Sequence, residues 1–168
     1  PALSPAQPLS LNNTSGLPVI ISGLNIRGGD MLGTNPLLYL RGTSRVTLLN
    51  SSLADCKNCL KIRGNNAHVQ NTTIQCQNRD LGTGALILGN NHEIGGDFHA
   101  SQCQTGIQIG TPGIDGNDVT IHDSILNDNG TAIKLIRGRR NFFQANSIYN
   151  NDRNSDSIFA GDEGILIL

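Results

Sequence analysis

Two short phrases put an acid beside a histidine: Asp97-Phe98-His99 and Ile121-His122-Asp123. An imidazole next to a carboxylate can move protons near neutral pH, and paired acids beside a base are what sugar-cleaving chemistry requires. Asp97, His99, His122 and Asp123 are therefore the catalytic candidates. Acid and histidine stand in opposite order in the two phrases, and no Asp-x-x-Asp pair falls on a strand, so the set is not one repeated arrangement.

Anion binding is the second chemistry in view. An apolar residue followed by Arg-Gly recurs in LNIRG, LYLRG, LKIRG and KLIRG, which end at Gly28, Gly42, Gly64 and Gly138. Arg41 and Arg63 leave equivalent alternating pairs, Leu38/Leu40 and Leu60/Ile62, so they stack in adjacent repeats about 4.8 Å apart. Arg27 and Arg137 fall in other phases. Arg41 and Arg63 are thus the ligand-binding candidates, against the plainer reading of exposed turn residues.

Metal and sulfur chemistry come third. The acidic turn Asp115–Asp118, DGND, carries oxygen ligands that suit calcium, although Asx-rich turns without metal are commoner. No other cofactor is expected. Cys56, Cys59, Cys76 and Cys103 map to one corner over three successive repeats. Disulfides, free buried thiols and a four-Cys zinc site all remain open there. The zinc reading lacks its usual second C-x-x-C, and pairing among four cysteines has three solutions.

These residues need a frame, and the composition describes it. The chain has 20 Asn and 20 Gly against 9 Ala, which disfavours long helices. Aromatic residues are only 4%, so the core must be built from Leu, Ile and Val, which suit pleated surfaces. Net charge is -1, so nothing in the totals calls for nucleic acid, and no apolar run approaches the roughly 20 residues of a membrane helix.

Self-similarity then fixes the architecture. Leu48, Val69, Ile94, Ile121 and Phe143 form one apolar column, spaced by 21, 25, 27 and 22 residues. A second column holds Leu53, Ile74, Phe98, Ile125 and Ile148. Strictly alternating strands give a third: Leu38/Leu40, Leu60/Ile62, Leu86/Leu88, Ile107/Ile109, Ile133/Leu135 and Ile165/Ile167. Three short strands in about two dozen residues make one coil of a β-solenoid, which buries its inner face only by stacking on its neighbours. Asn50, Asn71 and Asn146 read as amides that satisfy the next coil's backbone at a bend. The expected fold is all-β, a right-handed parallel β-helix of six to seven coils over residues 17–168, with residues 1–16 as an extended N-terminal segment. A sandwich of many short strands is the alternative.

The phrases VIISGLNIRGG, HDSILNDNGTAIKL and FFQANSIYNN resemble the rungs of the pectin-lyase-like superfamily of right-handed parallel β-helices. That resemblance covers roughly residues 17–168 and implies a fold rather than an activity. Polygalacturonases of that superfamily carry an Asp-Asp pair, a Gly-His-Gly and an Arg-Ile-Lys, none of which occurs here. Three functional readings follow. The first is a structural or glycan-binding module of a secreted or cell-surface protein. The second is a polysaccharide lyase, hydrolase or epimerase. The third is an adhesin or autotransporter passenger segment, for which GTGALIL and FQAN are the only phrases. The apolar ending GILIL adds an expectation of self-association through the last coil.

Overall fold

The computed structural model describes residues 9–28, 35–42, 45–77, 81–151 and 164–168. Every regular element among them is a strand, and each coil starts on one wall and returns along a second. Coil one holds β1 (Leu9–Asn13), β2 (Val19–Ser22) and β3 (Asn25–Arg27). Coil two holds β4 (Leu38–Gly42) and β5 (Val46–Cys56), and coil three β6 (Asn58–Asn65) and β7 (Ala67–Cys76). Coil four holds β8 (Thr83–Asn90), β9 (Glu93–Gly95) and β10 (Phe98–Ser101). Coil five holds β11 (Thr105–Ile109), β12 (Gly116–Asn117), β13 (Thr120–His122) and β14 (Ser124–Asn127). Coil six holds β15 (Thr131–Leu135), β16 (Phe142–Gln144) and β17 (Ser147–Tyr149), and β18 (Ile165–Ile167) begins the next.

The first wall is β1-β4-β6-β8-β11-β15-β18, all in parallel register. β2, β3, β5, β7, β9, β10, β13, β14, β16 and β17 form the second wall. In β5 and β7 this wall runs unbroken through a bend, and in the other coils the bend splits it into two short strands. The bend is made by residues with left-handed backbone: Gly23, Asn50, Asn71, Gly96 with Asp97, Asp123 and Ala145. Asn, Asp and Gly tolerate that conformation best, which explains their abundance in the chain. Asn71 Nδ2 donates to Asn50 Oδ1 at 2.6 Å, and Asn146 accepts from Ser124 N–H and donates to the Ile121 carbonyl, so all three amides link coils but only Asn146 satisfies a neighbouring backbone as expected.

A glycine column turns the first wall toward the second. Cβ atoms placed on Gly64 and Gly89 would lie 1.6 Å and 1.8 Å from the carbonyl oxygens of Gly42 and Gly64, the glycines one coil earlier. No side chain fits there, so these three positions align the strands that precede them.

A single apolar core fills the space between the walls. The first column stacks as expected, Leu48 on Val69 on Ile94 on Ile121 on Phe143. Each fully buried Leu or Ile in such a stack contributes about 1.5–3 kcal/mol. Two other columns differ from expectation. In the second, Leu53 and Ile74 continue to Ala100, Leu126 and Ile148, while Phe98 pairs with Ser124, and Ile125 is 37% exposed. In the third, Leu60 and Ile62 continue to Ala85 and Ile87, not to Leu86 and Leu88. The solenoid also starts before residue 17, because Leu9–Asn13 pairs with Leu38–Gly42 as the first rung of the first wall. Leu9 and Leu11 alternate with Ser10 and Asn12 there, a strand pattern that the proline-rich start disguises.

Candidate functional site

The outer face of the first wall concentrates cations. Register places Arg41 beside Arg63 and puts Tyr39, Lys61, Leu86, Gln108 and Lys134 in one outward row. The strands of this wall contain four cationic side chains, Arg41, Lys61, Arg63 and Lys134, and no Asp or Glu. Arg41 Cζ and Lys61 Nζ lie 6.0 Å and 5.1 Å from the centre of the Tyr39 ring, close enough for cation–π attraction. Among the described residues no carboxylate pairs with Arg41, Lys61 or Arg63. Beside them is a depression of about 200 Å³, lined by Pro36, Asn58, Leu60, Lys61, Thr83, Leu86 and Gln108. An aromatic ring, an aliphatic side chain, an amide and unpaired cations on one face suit a ligand with both flat apolar faces and negative charge.

The other two arginines of the repeated phrase stand elsewhere, as their phases required. Arg27 pairs with Asp55 at 3.0 Å. Arg137 pairs with Asp115 and donates to the Pro112 carbonyl. Arg140 grips Asp118 with two nitrogens, at 2.5 and 2.7 Å, and holds that carboxyl below its usual range. Both acids proposed as calcium ligands are thus engaged by guanidinium groups.

The catalytic candidates divide on the second wall. His122 and Asp123 belong to a chain of four groups that crosses three coils, and two members, His68 and Glu93, were not among the candidates. His122 Nδ1 lies 2.8 Å from Asp123 Oδ2, and its Nε2 lies 3.0 Å from Glu93 Oε1. Glu93 Oε2 accepts from His68 Nδ1 at 3.0 Å. Ionised carboxylates only accept, so His122 donates from both ring nitrogens when it is an imidazolium. The bonds to Asp123 and then Glu93 raise its pKa, and the bond from His122 lowers that of Glu93. Gly95 makes this reach feasible. It stands one coil below His122 in the outward row, and a Cβ there would lie 2.6 Å from His122 Nε2 and 2.5 Å from the His122 carbonyl oxygen.

His99 and Asp97 are not part of that chain. His99 Nε2 lies 2.6 Å from Asn127 Oδ1, and Asp97 stands at the bend with φ of 67°. The sequence distance between His68, Glu93 and His122 hides their proximity. The usable signal was register: His68 falls opposite Glu93 once Val69 is stacked on Ile94.

The fourth histidine is structural. His92 is 1% exposed, its Nδ1 accepts from Ala67 N–H at 3.2 Å, and Nε2–H therefore donates to the Leu88 carbonyl at 3.1 Å. Burial lowers its pKa. It borders a small open depression of about 10 Å³ that Arg41 and Arg63 also line.

The four cysteines do meet at one corner, as two disulfides, Cys56–Cys59 and Cys76–Cys103. Among the described residues no three or more metal-ligating side chains converge, and no helix is long and apolar enough to cross a membrane.

Parallel coils, two stacked walls and a continuous apolar interior define a β-solenoid. More narrowly, the chain belongs to the right-handed β-helix family, whose model, described as a right handed beta helix region, matches residues 9–168. No curated protein and no solved structure shows a significant match to it.

Proposed function

We propose that this β-helix is a glycan-binding module of a secreted or cell-surface protein, and that its first wall takes acidic polysaccharide. The observation that carries the reading is the cluster of Arg41, Lys61 and Arg63, the first two against the Tyr39 ring, on a wall whose strands contain no acid. Uronate or sulfate groups would meet the cations while sugar faces pack on Tyr39 and Leu86. Two disulfides agree with an oxidising compartment. The test is a glycan array that sets polyuronates and sulfated glycans against neutral glucans and mannans. Selective retention of the acidic polymers is expected, and equal retention of neutral ones would reject the reading.

A second reading, a polysaccharide-cleaving enzyme, is favoured by Glu93 and Asp123, two acids bridged by one imidazole. Such a pair can divide acid and base roles. A reducing-sugar and unsaturated-product assay on the polymers that bind separates the two. Turnover abolished by Glu93→Gln would place the protein among the enzymes, and binding without turnover would leave it a module.

A further inference from the structure

The four sulfurs at the cysteine corner form a continuous chain. Cys56 is bonded to Cys59, Cys76 is bonded to Cys103, and the Cys59 and Cys76 sulfurs touch at 3.7 Å. All four residues are at most 1% exposed. The packing leaves each bridge's inner sulfur in direct contact with the other's.

From this contact we propose that the corner is a thiol–disulfide exchange site, in which a thiol released at Cys59 displaces Cys103 from Cys76. A phosphine supplies the two electrons that open Cys56–Cys59 and leaves as its oxide, and water supplies the oxide's oxygen and the two thiol protons. The Cys59 thiolate then attacks Cys76 Sγ, the Cys76–Cys103 bond breaks, and Cys103 leaves as a thiolate that takes up the proton Cys59 lost. The product carries a Cys59–Cys76 bridge with thiols at Cys56 and Cys103. Forming it closes the contact from 3.7 Å to about 2.05 Å, a short movement for two side chains freed from their former partners.

The topology gives this exchange a structural consequence. Cys76 ends β7 in coil three, and Cys103 follows β10 at the end of coil four, so the resting bridge staples two coils. Cys59 lies in β6 at the start of coil three, so the exchanged bridge closes coil three on itself and frees coil four. Reduction of the C-x-x-C bridge alone thus removes the covalent link between coils. The two bridges do not swap while both are intact. Cys56 is level with Cys76 and Cys103 lies one coil further on, so a Cys56–Cys103 bond would span two strand spacings, about 9.6 Å. That exceeds the roughly 7 Å limit between the Cα atoms of a disulfide.

The test is partial reduction of the intact protein. Less than one equivalent of phosphine is added at pH 8, where a buried thiol still ionises in part. The sample is then quenched in acid, unfolded, alkylated with N-ethylmaleimide and mapped by peptide mass spectrometry. Molecules with two labels are expected to carry them on Cys56 and Cys103. Labels confined to Cys56 with Cys59, or to Cys76 with Cys103, would overturn the proposal. A variant arm needs no reductant: in Cys56→Ser the single thiol is expected to divide between Cys59 and Cys103. Label found wholly on Cys59 in a protein with the wild-type circular dichroism spectrum would also overturn it.

Discussion

Replacing His92 by leucine removes one side chain that satisfies two backbone groups at once. Ala67 N–H and the Leu88 carbonyl lose their partner in a site that is 1% exposed. A buried polar group left unpaired costs about 1–3 kcal/mol, so the pair together costs about 2–6 kcal/mol. Domain stabilities run to about 5–15 kcal/mol, so this is a large fraction of the whole. The loss also depends on pH. Burial lowers the His92 pKa below 6.5, so the folded protein keeps the ring neutral while the unfolded chain protonates it. Its contribution is therefore complete above pH 6.5 and is lost as pH falls through the lowered folded value. His122 has the opposite sign but is present in both proteins and cancels in the comparison. Urea unfolding followed by circular dichroism at pH 7.5 and pH 5.5 measures both effects. A gap below about 0.5 kcal/mol at pH 7.5 would refute the reasoning from unpaired groups, and so would a gap that widens in acid.

Three more outcomes follow from the same coordinates. Gly95→Ala drives a Cβ into the His122 ring and carbonyl and should cost about 1–3 kcal/mol by urea unfolding; His122→Ala in the same background should restore only part, because the carbonyl contact remains. His122→Gln should destabilise by less than about 1 kcal/mol, since the groups are partly exposed. With its raised pKa, His122 contributes in full below pH 6.5 and loses the effect as pH rises through the higher folded value, and with its lowered pKa Glu93 contributes in full above pH 4.5 and loses it as pH falls through the lower folded value. A difference between wild type and variant that grows above pH 8 would contradict the imidazolium. Ile165 and Ile167 are 40% and 67% exposed on a strand paired only with β15 among the described residues, so the double change to Ser should lower the weight-average mass in sedimentation velocity; equal masses would show that this edge is already covered.

The sequence made the first apolar column legible because its middle members, Val69, Ile94 and Ile121, have no large apolar neighbour, as Val69 stands between His68 and Gln70. In Ala85-Leu86-Ile87-Leu88 both strand faces are apolar, and alternation cannot choose between registers. The glycine column can, since Ile62 and Ile87 each stand two residues before a stacked glycine. The second column slipped for a similar reason. The inward residue comes three positions after the left-handed corner, giving Leu53 after Asn50, Ile74 after Asn71 and Leu126 after Asp123. Counting four residues on from Ile94 and Ile121 instead selected Phe98 and Ile125. The pairing of Arg41 with Arg63 was legible because both follow unambiguous alternation. The chain from His68 to Asp123 was not, because its contacts cross coils through a position, Gly95, whose role is to have no side chain.

The cationic first wall is the centre of the functional reading, and its most direct test is the affinity of a soluble polyuronate for the wild-type protein and for Arg41→Gln/Lys61→Gln/Arg63→Gln, measured calorimetrically at low and high salt. Each exposed charge contact contributes about 0.2–1 kcal/mol, so removing three should weaken binding roughly 3- to 150-fold at low salt. High salt should narrow the difference, because exposed charges more than about 8 Å apart are screened at physiological ionic strength. Unchanged affinity in the triple variant, with its fold intact, would contradict the account.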